Sequence, residues 1–438
     1  MAKKRVLIIT YYWPPSGGAG VQRWLKFVKY LRDFGWEPII FKPNKAEYPE
    51  LDYSLQEDVP EGVEIVESDI WEPYHLYKAF TGRKKNEKVQ AGFLNERKKP
   101  GKLEKIAVWL RGNIFIPDAR KFWIRPGVKS LNKWLSTNSV DAIASTGPPH
   151  SAHLIALKIK QKHQIPWLAD FRDPWTQIDF YDKLMLSKKA DRKHKKLEKS
   201  VLEGADAVTT VSKHCAIGLN EITDKKVNVI TNGFDTDDFQ HLPSFQYDEF
   251  SITHLGSMNP DRNPFALWDA LSELVKENEQ FRKDLRIRFI GKTDLSVFEA
   301  LEKRSLSDKV ENLKYLPHDQ AVNKAAESAV LLLALNNTPN VMGIAPGKLY
   351  EYLALNRPIL SVGPPSGDAA RIVTEANAGK TIDFDDVQQA KEIIMEWYSR
   401  FQNKSLNVES GSIEKFSRKA LTEKLSGLLD TITQQTSR

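Results

Sequence analysis

Residues 5–20 read RVLIITYYWPPSGGAG and contain the pattern that decides the fold, an apolar run followed by a glycine-rich turn. The run Arg5–Thr10 has the aliphatic and β-branched composition of a buried strand. Apolar residues at helical spacing follow over Val21–Phe34. A strand that passes through such a turn into a helix predicts a doubly wound parallel sheet, in which ligands bind at the carboxyl ends of the strands.

Short apolar runs and amphipathic stretches alternate along the rest of the chain, which predicts an α/β fold with parallel sheets. In the first half, further strands are predicted at residues 38–41, 142–145, 167–171, 207–211 and 227–231, and helices at 151–163 and 188–202. In the second half, strands are predicted at residues 251–255, 287–290, 313–316, 330–335 and 359–362, and helices at 264–276 and 348–355.

A stretch without apolar periodicity, residues 232–248, separates the two halves and holds glycine, proline and several aspartates. The final segment has apolar residues at helical spacing from Phe416 to Ile432. The sequence therefore predicts a first domain at 1–235, a linker at 236–248, a second domain at 249–411 and a terminal helix within 412–438.

Composition excludes several classes of protein. Of the 438 residues, 41% are hydrophobic and 28% charged, which is typical of folded globular domains. The longest purely apolar run, residues 329–335, is far shorter than the roughly 20 residues that span a bilayer. The single cysteine, Cys215, excludes an internal disulfide and a cysteine-based zinc site. We expect a cytoplasmic protein with neither a secretory signal nor a transmembrane helix.

Positive charge is concentrated in one segment of the first domain, which we call the basic segment (residues 78–133). The chain has a net charge of +7, but this segment alone carries +12 and the rest carries −5. A mixture of basic and aromatic residues is typical of surfaces that dock on anionic lipids. A solvated insertion is the alternative, and nucleic acid is not expected as a partner. The interleaved aromatic residues are Phe80, Phe93, Trp109, Phe115, Phe122 and Trp123.

Glycines follow the first predicted strand. Gly17, Gly18 and Gly20 allow a ligand to approach the backbone closely at a helix start. A dinucleotide fingerprint would need a third glycine where Arg23 stands and an acid after the second strand, so a nicotinamide or flavin enzyme is disfavoured. A turn with only a folding role is the alternative.

Polar side chains follow two other strands of the first domain. Arg172 and Asp173 lie after one of them and can orient hydroxyls or a phosphate. A structural ion pair of Arg172 with Asp170 or Asp173 is the alternative. His150 is either a sugar ligand or a residue that starts a helix, and Asp118 is a further candidate.

The second domain carries a sharper pattern. Residues 342–348 read MGIAPGK and lead into a predicted helix that contains Glu351. The free amides of Gly347, Lys348 and Leu349 at that helix start suit a diphosphate, and Lys348 adds a positive charge. Glu351 can accept hydrogen bonds from both hydroxyls of a ribose, or it interacts only with the dipole of its own helix.

Two more strand ends in the second domain carry candidates. Ser257 precedes Arg262, whose guanidinium can hold a phosphate through two hydrogen bonds. A surface arginine is the alternative. Leu316 closes a predicted strand, and its backbone can pair with the edge of a nucleobase. No His, Asp and Glu cluster has metal-ligand spacing, so neither a metal site nor a bound cofactor is expected.

In this order and spacing the motifs resemble those of the retaining glycosyltransferases of family 4, also called glycosyl transferases group 1. The resemblance covers nearly the whole chain. It implies a GT-B fold, in which two doubly wound Rossmann-like domains face a central cleft and the last helix crosses back to the first domain. The matching residues are 17–20 (GGAG), 205–212 (ADAVTTVS), 229–235 (VITNGFD), Gly256 with Arg262, 347–354 (GKLYEYLA) and 357–360 (RPIL).

The resemblance also implies an activity, namely transfer of a hexose-type sugar with retention from a nucleotide diphosphate donor to a glycan or lipid-linked acceptor. It implies no essential metal, and we expect a role in cell-surface polysaccharide or glycolipid biosynthesis at the inner face of the plasma membrane. The predicted donor-binding residues are Gly17, Gly18, Gly20, Ser257, Arg262, Leu316, Gly343, Gly347, Lys348, Leu349 and Glu351. The predicted acceptor-binding residues are His150 and Asp118, and the predicted catalytic residues are Arg172 and Asp173.

Three positions depart from the family pattern. Members usually carry two glutamates eight positions apart, and Gly343 stands where the first would precede Glu351. Ser257 stands at the first position of a basic pair, and Arg172, flanked by Asp173, stands where many members have a histidine. Residues 170–175 read Asp-Phe-Arg-Asp-Pro-Trp, a sequence that recurs in one subgroup of the family. The three departures leave two alternatives open: a non-catalytic sugar-nucleotide-binding or assembly protein, and a related sugar-nucleotide hydrolase or epimerase.

Overall fold

The computed structural model describes residues 3–72, 102–240, 242, 248–314, 316–408, 411 and 413–436. The chain divides into two compact units, Met1–Thr231 with Arg418–Arg438, and Asn232–Ser417. Each unit is an α/β domain built on one parallel sheet. Residues 78–101 of the basic segment lie outside the described residues, so only its second half is described below.

Strands and helices alternate in both units, as the sequence predicts. The strands are β1 (Lys4–Ile9), β2 (Trp36–Pro43), β3 (Glu64–Ser68), β4 (Ala142–Gly147), β5 (Trp167–Phe171), β6 (Ala207–Thr210), β7 (Val227–Val229), β8 (Phe250–Leu255), β9 (Leu285–Ile290), β10 (Val310–Leu313), β11 (Val330–Ala334), β12 (Ile359–Val362) and β13 (Gly379–Ile382). The helices are α1 (Ala19–Leu31), α2 (Lys102–Asn113), α3 (Ile124–Leu135), α4 (Ser151–His163), α5 (Lys188–Gly204), α6 (Lys213–Asn220), α7 (Phe265–Glu277), α8 (Glu279–Asp284), α9 (Leu295–Glu302), α10 (His318–Ala326), α11 (Gly347–Ala354), α12 (Asp368–Glu375), α13 (Val387–Gln402) and α14 (Arg418–Thr436).

The sheet of the first unit has the order β3-β2-β1-β4-β5-β6-β7 among the described strands. Alternate residues of β1 point to opposite faces. Val6 and Ile8 pack in a core with residues of α1 and α14, whereas Leu7 and Ile9 pack with residues of α3 and α4. Both faces of the sheet are therefore buried, which explains why β1 is a continuous apolar run rather than an alternating one.

The sheet of the second unit has the order β10-β9-β8-β11-β12-β13 in the described part of the chain. Leu332 of β11 packs in a core with residues of α7 and α13. Its neighbours Leu331 and Leu333 pack on the other face with residues of α10, α11 and α12. All paired strands run parallel, so their carboxyl ends share one edge, from which α11 begins after the end of β11.

The last helix, α14, returns to the first unit and packs beside α1. Leu421, Leu425 and Leu429 are buried in the core that also contains Val6 and Ile8 of the central strand. The doubly wound fold with a returning terminal helix is thus confirmed.

Edge strands account for the main errors of the sequence prediction. β3 and β13 are not among the predicted strands, and the prediction of a strand at 313–316 is wrong because β10 ends at Leu313. Leu316 lies beyond that strand, just before Pro317, the N-cap residue of α10. An edge strand is paired on one side only and remains partly exposed, so it carries polar residues and gives a weak apolar signal.

The packing of α14 predicts a specific loss of stability. Leu429 is fully buried, so Leu429→Ala leaves a cavity and should lower the free energy of unfolding by about 2–5 kcal/mol. Leu428 lies next to it but is only partly buried, and Leu428→Ala should cost roughly 1 kcal/mol. Urea denaturation of both variants checks this, and equal losses would contradict the packing of the helix.

Candidate functional site

A buried ion pair organises the carboxyl end of the first sheet. Arg23 of α1 donates from Nε and Nη2 to the two carboxylate oxygens of Asp170, at 3.0 and 2.9 Å. Trp24, Thr146 and Thr209 also donate to this carboxylate, at 2.7, 3.2 and 2.8 Å. Burial opposes ionisation, but the Arg23 charge and these hydrogen bonds outweigh it and hold the pKa of Asp170 below its usual value. Asp170 therefore joins α1 to β4, β5 and β6 as an anion.

Arg172 has different partners from those that the sequence suggests. Its guanidinium donates to the carbonyl oxygens of Gly20 and Pro148, in the segments that follow β1 and β4. It also lies over the ring of Tyr12, 5.8 Å from the centroid. Among the described residues it forms no ion pair with an aspartate, because Asp170 is paired with Arg23. Arg172 thus holds together the ends of neighbouring strands.

Asp173 differs from Asp170 in being exposed, although the charge of Arg172 acts on its carboxylate. Within the described ranges its carboxylate has neither a hydrogen bond nor an ion pair. Two side chains of α5 bind the segment that follows Asp173. Trp175 Nε1 donates to His194 Nδ1 at 3.0 Å, and Glu198 accepts from the backbone amide of Trp175 at 3.2 Å. These α5 residues were not predicted. Their signal is a histidine and a glutamate four positions apart on the apolar face of a helix.

The glycine-rich loop after β1 is partly committed to backbone contacts. The amide of Gly17 donates to the carbonyl oxygen of Glu50 at 3.0 Å. Gly18 has φ of 85°, in the left-handed region, and occupies the N-cap position of α1. A Cβ on Gly20 would lie 3.1 Å from Arg172 Nη1, so glycine at this position leaves room for the guanidinium. The loop therefore has a structural role in addition to any contact with a ligand.

His150 and Asp118 lie together at the start of α4. Asp118 accepts hydrogen bonds from the amide and hydroxyl of Ser151 at 2.9 and 2.8 Å and so caps this helix. The His150 ring stacks on Trp175 with centroids 4.6 Å apart. Burial, and then neighbouring imidazole and guanidinium groups, hold the pKa of His150 well below its usual value. A neutral imidazole at a strand end can form a hydrogen bond with a sugar hydroxyl.

Lys348 lies over the end of β8 in the second unit. Its Nζ donates to Nε2 of His254 at 3.1 Å, and a Cβ on Gly256 would lie 3.3 Å from the same Nζ. Gly256 has φ of 99°, so glycine both accommodates the turn and leaves room for the ammonium. His254 was not among the predicted residues, because the sequence does not show that a histidine at this strand end contacts Lys348, 94 positions away.

Arg262 lies beside this group. It donates from Nη1 to the carbonyl oxygen of Ser257 at 2.8 Å and from Nε to Asn336 Oδ1 at 3.0 Å. Neither Arg262 nor Lys348 has an ion pair with a carboxylate among the described residues. Burial, and then the charge of Arg262, hold the pKa of Lys348 well below its usual value. A bound anion would offset the cost of burying these two charges, so the arrangement favours binding of an anion.

Backbone amides add to this positive character. At the start of α11, the amides of Gly347 and Lys348 donate to no other backbone group in the described chain. The amide of Leu349 donates to Pro346 at 3.0 Å and its side chain is buried, so two amides are free rather than the predicted three. Glu351 lies one turn further along α11, and its carboxylate forms no hydrogen bond among the described residues.

Other predicted residues lie near α11 without a charged group. Gly343 ends a short 3-10 turn, Val341–Gly343, and its amide donates to Asn340 at 3.1 Å. Ser257 is exposed, with its carbonyl committed to Arg262. In the described parts of the chain, no group of three or more His, Cys, Asp and Glu side chains is arranged to hold a metal ion.

Comparisons with known proteins identify the fold. A family model described as Glycosyltransferase Family 4 matches residues 92–238, about a third of the chain. No curated protein sequence matches this chain. The structure is similar to sucrose-phosphate synthase from Thermosynechococcus elongatus, with 12% identity and a TM-score of 0.58 over 99% of this chain and 98% of that one.

Two further similar structures contain ligands. HepE from Anabaena, in complex with UDP-glucose, is 14% identical with a TM-score of 0.55, over 99% of this chain and 98% of that one. A variant of S. aureus TarM, in complex with fondaparinux, α-GlcNAc-glycerol and UDP, is 12% identical with a TM-score of 0.59, over 98% and 100%. These similarities establish that the chain has the GT-B fold.

The Arg23–Asp170 pair predicts a pH-dependent loss of stability. Arg23→Met leaves the carboxylate buried without its cation and should cost about 3–5 kcal/mol at pH 7. Without the cation, burial raises the pKa of Asp170 above its unfolded value. The variant therefore regains stability as the pH falls and the carboxylate is protonated. The gap between wild type and variant should narrow between pH 7 and about pH 4.

Chemical denaturation across that pH range measures the gap. Arg32→Met is the matched control, since Arg32 pairs with Glu37 at 2.6 Å on a more exposed surface and should cost at most about 1 kcal/mol. A gap for Arg23→Met that does not change with pH would contradict an ionised Asp170.

Proposed function

We propose that the protein is a glycosyltransferase that moves a sugar, with retention, from a nucleotide diphosphate-sugar to a glycan or lipid-linked acceptor. Its pathway would be cell-surface polysaccharide or glycolipid biosynthesis. The observation that carries this proposal is the pair Arg262 and Lys348, two cations that lie beside free helix amides and have no carboxylate ion pair among the described residues. A diphosphate supplies the negative charge that this arrangement lacks.

The chemistry follows from where charge develops. The bond between the anomeric carbon and the diphosphate oxygen breaks, and the diphosphate leaves with the bonding electrons. The acceptor hydroxyl attacks the same face and gives its proton to the departing phosphate. Arg262, Lys348 and the amides at Gly347 stabilise the leaving charge, and Glu351 accepts hydrogen bonds from the ribose.

The first unit supplies the acceptor side in this proposal. His150 remains neutral and presents a ring nitrogen at the end of β4, and Asp173 offers a free carboxylate at the end of β5. Asp118 acts indirectly, because its oxygens already cap α4. Arg172 acts by fixing the strand ends that carry these groups.

Two alternatives have their own supporting observations. Gly343 provides no carboxylate where the family pattern has a glutamate, which favours a protein that binds a sugar nucleotide without turnover. The fold is also similar to a putative UDP-N-acetylglucosamine 2-epimerase from Listeria monocytogenes, at 10% identity and a TM-score of 0.56. Incubation of the protein with UDP-sugars in the absence of acceptor identifies an epimerase or hydrolase, since a transferase leaves the donor largely intact. A protein that binds UDP but turns over no donor, with or without acceptor, would instead support the non-catalytic alternative.

The diphosphate site predicts the effect of two substitutions. Arg262→Ala and Lys348→Met should each weaken binding of UDP about tenfold or more, since loss of a charge-assisted hydrogen bond costs roughly 1.5–3 kcal/mol. Calorimetric titration with excess chelator present measures this. Lys380→Ala is the control, because Lys380 forms an exposed ion pair with Glu396 in the same unit. Unchanged UDP affinity in both variants would contradict the site.

We also propose that the first unit docks on an anionic membrane. Exposed aromatic residues lie in and beside the described part of the basic segment, where the ring centroids of Trp71 and Phe122 are 4.6 Å apart. Lys121 Nζ lies 5.0 Å from the Phe122 ring, and Trp109 of α2 is also exposed. Trp123 instead stacks on Phe41 in the core, so it is not an interfacial residue.

Docking of this kind is peripheral. Each helix in the described part of the chain is too short or too polar to span a bilayer. Each Lys or Arg near an anionic surface contributes about 1 kcal/mol, and this attraction fades within about a Debye length. Aromatic rings add an apolar contribution that salt does not screen.

The protein should sediment with anionic vesicles at low salt, be released at high salt and bind neutral vesicles weakly. Trp71→Ser combined with Phe122→Ser should reduce sedimentation, whereas Ile217→Ser, on the exposed surface of α6, should not. Charge reversal at six residues outside the described ranges should abolish it: Arg83, Lys84, Lys85, Arg97, Lys98 and Lys99. Wild-type protein that stays in the supernatant at low salt would overturn the proposal.

A further inference from the structure

His254 lies directly against Lys348 at the end of β8. Its ring is 1% exposed, with Nδ1 lying 3.0 Å from the carbonyl oxygen of Leu332 and Nε2 lying 3.1 Å from Lys348 Nζ. A carbonyl oxygen only accepts, so Nδ1 carries the proton and Nε2 presents a lone pair. The carbonyl oxygen of Ser257 is farther away, at 3.4 Å. The lone pair therefore accepts from the ammonium.

The surroundings keep this imidazole neutral. Burial, and then the charges of Lys348 and Arg262, hold the pKa of His254 well below its usual value. The acid that acts on the lysine is Glu351 of α11, whose charge does not reverse this effect. Burial raises the pKa of Tyr352, so its hydroxyl carries no charge in the neutral range. His254 therefore remains a hydrogen-bond acceptor throughout the neutral pH range.

A neutral acceptor suits a lysine that has to meet an anion. A carboxylate at position 254 would hold the ammonium more strongly, but it would cancel the charge and repel a phosphate. An imidazole lone pair fixes the direction of the ammonium and leaves its charge available. Gly256 leaves the space that the ammonium occupies, since a Cβ there would lie 3.3 Å from Nζ.

We propose that His254 is a positioning residue, which holds the ammonium of Lys348 over Gly256 so that Lys348 and Arg262 face one anionic ligand. This inference rests on the proposed diphosphate site and extends it to a residue that does not touch the ligand. It assigns to His254 a role in affinity that is separate from its packing in the core.

Two substitutions separate the role in affinity from the role in packing. His254→Asn keeps a donor for the Leu332 carbonyl but has no acceptor within reach of Lys348. His254→Gln is longer and presents an amide oxygen near the place of Nε2. With UDP as the probe, His254→Asn should weaken binding about five- to tenfold and His254→Gln at most about threefold. Equal affinities of His254→Asn and wild type would overturn the proposal.

Imidazole NMR tests the pairing without any ligand. In protein labelled with ¹⁵N-histidine, the His254 signals of the wild type should show the Nδ1–H tautomer and no titration between pH 8 and 5. In Lys348→Met the nearby cation is absent, so His254 should titrate at a higher pH than in the wild type. An Nε2–H tautomer in the wild type would overturn the proposal even where the position 254 variants fail to fold. Failure of the wild type to bind UDP would instead count against the donor site, while these spectra still decide the pairing.

Discussion

The pairing of Arg23 with Asp170 is the interaction on which the first unit depends. A carboxylate at the centre of a sheet edge is costly to bury unless its charge is compensated and its oxygens are fully bonded. Here the cation comes from the helix after β1, and hydroxyl donors come from the strands on either side of β5. Asp170, near the end of β5, thereby fixes the position of α1 on the sheet.

The cations at the carboxyl ends of the two sheets differ in how their charge is compensated. In the first unit the charge of Arg23 is compensated by Asp170, and the nearby carboxylates of Asp173 and Asp170 act on the charge of Arg172, so little uncompensated charge remains at the strand ends. In the second unit Lys348 has a neutral imidazole as its partner and Arg262 a carbonyl and an amide oxygen. The same fold therefore yields one edge that is held together by its charges and another edge with affinity for anions.

The sequence predicts the strands and the terminal helix because both depend on local apolar spacing, as in Arg5–Thr10 and Leu421–Ile432, whereas the return of that helix to the first unit is implied by the family resemblance. It also places candidate cations at strand ends, since the end of a strand is visible in the pattern. The sequence does not predict which side chains these groups contact. The bond between Arg23 and Asp170 joins residues 147 positions apart, and the choice of Asp170 over Asp173 depends on which side chain points inward. Trp123 shows the same limit, because its stacking on Phe41 is set by tertiary packing.

The return of α14 makes the first unit discontinuous in sequence, whereas the second unit is continuous from Asn232 to Ser417. During synthesis the second unit has all of its chain before the first does, since α14, which packs with Val6 and Ile8, follows the second unit in sequence. Until then this face of the first sheet has the cover of α1 but lacks the leucines of α14. The second unit, which is inserted in the sequence of the first, can therefore fold before the first unit has the helix that completes its core.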